Sequence, residues 1–233
     1  MSVFAISDLH LPLGIDKPMN VFGARWDNYV DRLRDNWQKI VGDEDIVLMP
    51  GDISWATYLE DAYKDLEYIN SLNGTKIILK GNHDYWWTTM NKLNGFVEKN
   101  NFDTIKFIHN NCYVSGGIAI CGTRGWNIAK DNSTDDDKRL FLREKERMIL
   151  SLESARKQNP DEIIAAMHYP PVEKNGLNHD FIEIFKEYGV KTCIYGHLHA
   201  AAQDFAVQGD VDGVKLILVA SDYLKFIPKL IRN

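Results

Sequence analysis

The sequence predicts an α/β fold that forms one domain over residues 1–233. Short apolar runs alternate along the chain with stretches of helical periodicity, which is the order expected of strands and helices packed in layers. Several runs, including 46–49 and 77–79, are apolar throughout, as is typical of strands buried on both faces. A chain of 233 residues fits one domain of above-average size, and no repeat, low-complexity segment or linker divides it.

Three strands and three helices are predicted in the first half of the chain. The first helix illustrates the pattern, because Val30, Leu33 and Trp37 recur on one helical face. The strands are predicted at 3–7, 45–49 and 76–79, and the helices at 27–41, 57–72 and 88–99.

The second half becomes richer in strands. Apolar runs at 104–108 and 117–121 lie near Gly-rich turns, and Ser133 or Thr134 can cap a long helix at 136–157. Gly189 is suited to end a helix at 180–188. Strands are expected at 162–166 and 191–195, and a closing hairpin is expected to pair 204–208 with 214–220 through Asp212-Gly213.

Composition excludes several classes of protein. With 27 Lys and Arg against 33 Asp and Glu, the chain carries a net charge of −6, which argues against a nucleic-acid partner. Three widely spaced cysteines, Cys112, Cys121 and Cys193, form neither a disulfide framework nor a zinc ribbon and suit a reducing compartment. No apolar window reaches the length of a membrane span, and the first residues read as a strand. We therefore expect a cytoplasmic protein that does not bind membranes.

Side chains suited to binding metal follow five of the predicted strands. Because ligands of open α/β sheets gather at the carboxyl ends of strands, five distant segments can converge on one point. Each segment alone is a weak signal, but their joint occurrence in this order is specific. The segments are Asp8-Leu9-His10, Gly51-Asp52, Gly81-Asn82-His83-Asp84, His168-Tyr169-Pro170-Pro171 and Gly196-His197-Leu198-His199.

The donors of these segments are carboxylate, amide and imidazole groups, with no cysteine among them. Such a set suits manganese, iron or zinc better than a thiophilic ion. Seven protein donors exceed the need of one tetrahedral site, and they fit two ions that share a bridging carboxylate and a bridging water. The seven are Asp8, His10, Asp52, Asn82, His168, His197 and His199.

Taken together, the series resembles the signature of the calcineurin-like metallophosphoesterase superfamily. The resemblance spans residues 8–199, which is most of the chain. It implies a four-layer sandwich, in which two mixed β-sheets are flanked by helices. It also implies a ligand assignment: Asp8, His10 and His199 for the first metal, Asn82, His168 and His197 for the second, and Asp52 as the bridge.

The resemblance further implies a mechanism. A hydroxide that bridges two divalent ions, manganese first among the candidates with iron or zinc as alternatives, attacks the phosphorus in line with the leaving oxygen. His83 protonates the leaving group or stabilises its charge, and Asp84 orients the His83 imidazole. The alternative for His83 is a purely structural histidine. His109 and His179 are assigned no role.

Residues in and beside the motifs narrow the class of substrate. Asp84 stands where protein phosphatases of the superfamily carry Glu, and no arginine lies beside the motifs. The closing Gly196-His197-Leu198-His199 resembles the phosphodiesterase and general phosphohydrolase branches. We therefore expect a small phosphodiester or phosphomonoester as substrate, with nucleotide-derived esters among the candidates.

Four side chains near the motifs are candidates for contacts with the substrate. Trp86 and Trp87 follow His83 and can stack on a base or an apolar leaving group, or else pack the start of the helix onto the sheet. Arg124 can bind a phosphate oxygen or be an ordinary surface arginine, and Trp126 lies in the same turn.

Two other functions compete with this interpretation. A nuclease is disfavoured by the acidic balance and by the lack of room for a capping domain. A non-catalytic metal-binding interaction module is disfavoured because every ligand position and the position of His83 are filled.

Overall fold

The structure is a computed structural model that describes residues 1–127, 133–172 and 179–233. Within these ranges the chain folds into four layers, in which two mixed sheets stack face to face and helices cover both outer faces. The α/β sandwich that the resemblance implies is therefore confirmed. The space between the sheets is filled by apolar side chains such as Leu48, Ile77, Ile120 and Ile164.

The described ranges form eleven strands and five α-helices. The strands are β1 (Val3–Ala5), β2 (Ile46–Pro50), β3 (Thr75–Leu79), β4 (Ile105–Phe107), β5 (Cys112–Ser115), β6 (Ile118–Thr123), β7 (Glu162–Met167), β8 (Thr192–Tyr195), β9 (Gly209–Val211), β10 (Val214–Leu218) and β11 (Lys229–Arg232). The helices are α1 (Tyr29–Ile40), α2 (Tyr63–Asn70), α3 (Met90–Lys99), α4 (Asp135–Arg156) and α5 (Asp180–Glu187). Short 3₁₀ segments lie at Met19–Phe22, Ala24–Trp26 and Ala200–Phe205.

Both sheets have a parallel centre and an antiparallel edge. The first sheet has the order β11-β1-β2-β3-β4, and only β11 runs antiparallel to its neighbour. The second has the order β5-β6-β7-β8-β10-β9, with β5 and β9 antiparallel at its two edges. The parallel strands β1, β2, β3, β7 and β8 carry the predicted ligand segments, so their carboxyl ends face the same side of the sandwich.

The helices cover the sheets through apolar stripes. Leu33 and Trp37 of α1 pack with α2 and α3 on the first sheet, and Met148 and Phe181 join α4 and α5 to the second. Thr134 caps α4 in a reciprocal arrangement with Asp137, so the predicted cap is confirmed. None of the described helices is long and apolar enough to cross a membrane.

Two predicted elements were wrong. The helix expected at 57–72 begins only at Tyr63, because the preceding residues belong to a loop in which the Ser54 hydroxyl donates to the buried Asp65 carboxylate. The first arm of the closing hairpin, expected at 204–208, is Gly209–Val211 instead, because the chain first forms a 3₁₀ helix. The turn at Asp212-Gly213 is correct, since β9 and β10 pair across it.

Candidate metal centre

Sharp backbone turns follow the strands that carry the ligands. Asp8, His10, Asp52 and His197 all have left-handed backbone, with φ values of 58°, 47°, 54° and 71°. Among residues with a side chain, Asp and His are of the types that adopt this conformation more readily. The turns explain how Asp8 and His10, which are only two positions apart in the sequence, both reach one centre.

Glycines in the motifs make room for the carboxylates. A Cβ on Gly81 would lie 2.1 Å from Oδ1 of Asp52, and a Cβ on Gly196 would lie 2.3 Å from Oδ2 of Asp8. Any larger residue at either position would displace a carboxylate. The packing of the site therefore requires glycine directly before Asn82 and directly before His197.

Asp8, His10 and His199 form a first group of donors. Nε2 of His199 lies 3.2 Å from Oδ1 of Asp8 and 3.4 Å from Nε2 of His10. Asp8 is fully buried, and its carboxylate also accepts a hydrogen bond from the backbone amide of His197 at 3.1 Å. The structure therefore brings together the three residues expected at the first metal.

Asn82, His168 and His197 form a second group. Oδ1 of Asn82 lies 2.6 Å from Nε2 of His168 and 3.0 Å from Nδ1 of His197. The other ring nitrogen of His168 is 3.0 Å from the carbonyl oxygen of Pro50, which fixes the ring orientation. The three residues expected at the second metal are thus also adjacent.

Asp52 lies between the two groups. Its Oδ2 is 3.7 Å from Nε2 of His10 and 3.5 Å from Nε2 of His168. Its other oxygen accepts a hydrogen bond of 2.8 Å from the amide of His83. This is the position that a bridging carboxylate requires, although the bridging role itself stays a prediction.

The atoms at the centre suit divalent cations. Nε2 of His168 faces Nδ1 of His197 at 3.2 Å, and it also lies 3.5 Å from Oδ2 of Asp52, so imidazole and carboxylate donors crowd together. The buried Nδ1 of His10 has no hydrogen-bond partner in the part of the chain that the structure describes. Two groups there have the spacing of a metal site: Asp8, His10 and His199, and Asp8, Asp52 and His168. The donors are nitrogen and oxygen only, as manganese, iron or zinc prefers.

Burial sets the charge of several donors. Burial raises the pKa of Asp52 to about 7, although the nearby His168 acts to lower it. It lowers the pKa of His197 to about 3 and holds that of His10 well below its usual range. At neutral pH these two imidazoles are therefore uncharged, which is the form that binds metal.

Asp222, which sequence reasoning missed, orients His199. Burial opposes a charge on His199, but hydrogen bonds to Asp222 and Asp8 outweigh it and raise its pKa to about 10. Burial likewise opposes the charge on Asp8, yet His199 holds the pKa of that carboxyl below its usual range. Asp222 follows the apolar run of β10, so the rule that found the other ligands, a polar residue after a strand, also pointed to it.

His83 lies at the open side of the centre. Its ring is half-buried, 5.6 Å from the ring of His10 and 4.8 Å from that of Trp55. Burial lowers its pKa, and the neighbouring His168 acts in the same direction. The ring belongs to neither group of donors, and its predicted contact with a substrate stays a prediction.

Asp84 differs from its expected role. Its carboxylate accepts hydrogen bonds from the amides of Asp52, Ile53, Ser54 and Gly81 and from the indole of Trp86, at 2.7 to 3.3 Å. These hydrogen bonds hold the loop that carries Asp52 in place. Asp84 therefore fixes the backbone around the centre, and orientation of the His83 ring is not among its hydrogen bonds.

The two tryptophans that follow His83 are buried. Trp86 and Trp87 are 1% and 8% exposed and pack in the core of the first sheet, which favours the alternative that they pack the start of the helix onto the sheet. Contact of either ring with a substrate stays a prediction. Trp55 instead stacks on His10, with ring centroids 4.5 Å apart. Trp26 lies 6.2 Å from the ring of His199. Sequence adjacency to a ligand does not show on which side of the loop a ring lies.

Trp26 and Trp55 belong to a cavity of about 400 Å³ at the metal centre, which we call the apolar pocket. Met19 and Phe22 add apolar surface, and His83 stands at the boundary with the metals. Most of the wall is carbon, and the polar groups are largely the metal-binding and adjacent side chains: His10, His83, His199, Arg25 and Asp222.

Arg124 and Trp126 lie outside the apolar pocket. The Arg124 guanidinium packs over the Trp126 ring at 4.7 Å and lies 3.7 Å from the Glu144 carboxylate. The Trp126 indole donates to Asp137 at 3.1 Å. Contact of these two residues with a substrate stays a prediction, and Arg124 faces a second cavity.

A four-layer α/β sandwich with nitrogen and oxygen donors gathered at its strand ends defines a metal-dependent phosphoesterase. The family model described as Calcineurin-like phosphoesterase matches residues 1–201, and the chain belongs to this family. A comparison with curated proteins found no match.

Solved structures share the fold at low sequence identity. Phosphopantetheinyl hydrolase from Mycobacterium tuberculosis is 12% identical, with a TM-score of 0.56 over 100% of this chain and 96% of the other. A protein of unknown function from Aquifex aeolicus is 18% identical, with a TM-score of 0.51 over 98% of this chain and 94% of the other. At such identities the likeness establishes the fold alone.

Proposed function

We propose that this protein hydrolyses a small phosphodiester or phosphomonoester with two divalent metal ions, manganese first among the candidates. The observation that carries the proposal is the position of Asp52, whose Oδ2 lies 3.7 Å from His10 and 3.5 Å from His168, between two groups of donors. The ions, when bound, supply an activated water and offset charge on the phosphoryl oxygens.

The chain itself supplies orientation and a proton. Asp84 holds the backbone of the Asp52 loop, and Asp222 holds the His199 ring, so the donors are fixed before metal arrives. His83, at the border of the apolar pocket, is suited to donate a proton to the leaving oxygen. Its role is distinct from that of the ligands because its ring belongs to neither group of donors that could hold a metal ion.

The apolar pocket favours esters with an apolar or aromatic group. A ring or an alkyl chain placed against Trp26, Trp55 and Phe22 would be removed from water while its phosphoryl group lies at the metals. Nucleotide-derived esters fit this description, because a base can stack on an indole.

The test compares two aromatic esters. Protein that has been stripped of metal and reloaded with Mn²⁺ should hydrolyse bis-p-nitrophenyl phosphate or p-nitrophenyl phosphate, and the faster of the two assigns diester or monoester preference. Asp52→Ala is the matched control, because it removes the carboxylate shared by both groups and should lose metal and activity together. Binding of two Mn²⁺ without hydrolysis of either ester would refute the catalytic proposal and favour a non-catalytic module.

A further inference from the structure

A second cavity, of about 240 Å³, lies between the ends of β3, β4 and β6 and helix α4. We call it the basic pocket, and its charged lining consists of Lys80, Arg124, Arg143, Arg147 and Glu144. Four cationic side chains against one carboxylate leave three positive charges in excess. This concentration is unusual in a chain of net charge −6.

The single carboxylate does not neutralise the cations. Glu144 is fully buried, and its oxygens bind Arg147 at 2.8 Å and the Thr123 hydroxyl at 2.5 Å. Arg124 is farther away, at 3.7 Å. Its buried Nε has no hydrogen-bond partner among the described residues. A buried donor without an acceptor is costly, so this atom points to a ligand that would accept its hydrogen bond.

The cations also repel one another, because Lys80, Arg124, Arg143 and Arg147 line the same cavity. Burial lowers the pKa of Arg124, with Glu144 opposing the shift and Arg143 and Arg147 adding to it. An anion between these groups would relieve the repulsion.

We propose that the basic pocket binds a phosphoryl oxyanion at a site separate from the metal centre. Guanidinium groups match the geometry of phosphate oxygens, and a dianion would offset most of the excess charge. The cavity has room for it, since a water molecule takes about 30 Å³ of liquid volume. The phosphoryl group is either free inorganic phosphate or a second phosphate of a substrate held at the metals.

The backbone links the basic pocket to loops of the metal centre. Lys80 directly precedes Gly81 and Asn82, and the carbonyl oxygen of Arg124 accepts hydrogen bonds from the amides of His168 and Tyr169 at 3.2 and 2.9 Å. Residues that line the basic pocket are therefore joined through the backbone to the loops that carry Asn82 and His168.

The test measures binding of radiolabelled orthophosphate to the Mn²⁺-loaded protein by equilibrium dialysis. The double variant Arg143→Gln/Arg147→Gln should bind one phosphate fewer per chain, or bind it about tenfold or more weakly, because charge-assisted hydrogen bonds are lost. Arg139→Gln/Arg156→Gln is the matched control. It removes the same charge from the same helix at residues that are 79% and 55% exposed and outside the cavity, and it should bind like the wild type.

The single variant Arg143→Gln controls for misfolding of the double variant, because it leaves the ion pair between Glu144 and Arg147 intact. It should still weaken phosphate binding. If the phosphoryl group belongs to the substrate, the variants raise KM for a nucleoside diphosphate and leave that for bis-p-nitrophenyl phosphate unchanged. If free phosphate is the ligand, neither KM changes while binding is lost. Equal phosphate binding by the wild type and the double variant would overturn the proposal, whatever the hydrolytic activity.

Discussion

Nδ1 of His199 lies 2.9 Å from Oδ1 of Asp222, while Nε2 of the same ring lies 3.2 Å from Oδ1 of Asp8. Asp222 is also held by Arg25, whose guanidinium lies 3.2 Å from its other oxygen. The His199 ring is thus fixed between two carboxylates, one at the centre and one behind it. Such a carboxylate behind a metal-binding histidine sets both its orientation and its basicity.

Replacing Asp222 should weaken metal binding without removing a ligand. Asp222→Ala leaves the His199 ring without its partner, and we expect Mn²⁺ affinity to fall about 10–100-fold. Asp222→Asn keeps an acceptor for Nδ1 and should recover most of that loss. Competition with a chelator would measure both variants, and an Asn variant as impaired as the Ala variant would show that Asp222 does not act by orienting the ring.

His83→Ala should separate catalysis from metal binding. The ring belongs to neither group of metal-binding donors, so its loss should leave the metal content unchanged and lower kcat about 10²–10⁴-fold, as for loss of a general acid. Metal analysis and kinetics on the same samples provide the measurement. His179→Ala, at a half-exposed histidine near the start of α5, is the control. A His83→Ala protein without metal would mean that the division of roles is incorrect.

Phe22→Ala should affect aromatic substrates selectively. Phe22 lines the apolar pocket but is 58% exposed, so its removal should preserve the fold. We expect a higher KM for p-nitrophenyl esters and little change for an ester with a small polar alcohol, because only the former loses apolar contact. Tyr58→Ala, an aromatic that is 67% exposed and absent from the pocket lining, should change neither.

Metal affinity should rise with pH. In the metal-free protein the pKa of Asp52 is raised to about 7 and that of His199 to about 10, so protons occupy both groups in acid and must leave when metal binds. We expect Mn²⁺ affinity to increase at least about tenfold between pH 6 and pH 8. Calorimetric titrations across this range would test the sign, and an affinity that falls with rising pH would contradict it.

The ligand segments could be predicted because each joins an apolar strand to polar residues of suitable chemistry. Asp8, Asp52 and His168 follow strands whose hydrophobic runs are visible in the sequence, and the parallel order of the strands brings their ends together. The sandwich of two sheets required the resemblance, because apolar runs show that strands are buried but not which strands are neighbours.

Side-chain direction was the part that could not be predicted. Trp55 lies three positions after Asp52, and Trp86 lies three positions after His83. Trp86 nevertheless turns inward to donate to Asp84, while Trp55 stacks on His10. Their orientation depends on the irregular loops after β2 and β3, where no periodicity applies. The start of α2 was misplaced for the same reason, since Ser54 and Asp65 form a tertiary contact that no local pattern shows.

Left-handed backbone at Asp8, His10, Asp52 and His197 has a consequence for how this sequence can change over time. Such conformations cost about 1–3 kcal/mol each for residues with a side chain. Glycine would remove that cost, but it would also remove the donors. Stability and metal binding therefore favour different residues at these four positions, a trade-off expected where a site depends on strained backbone.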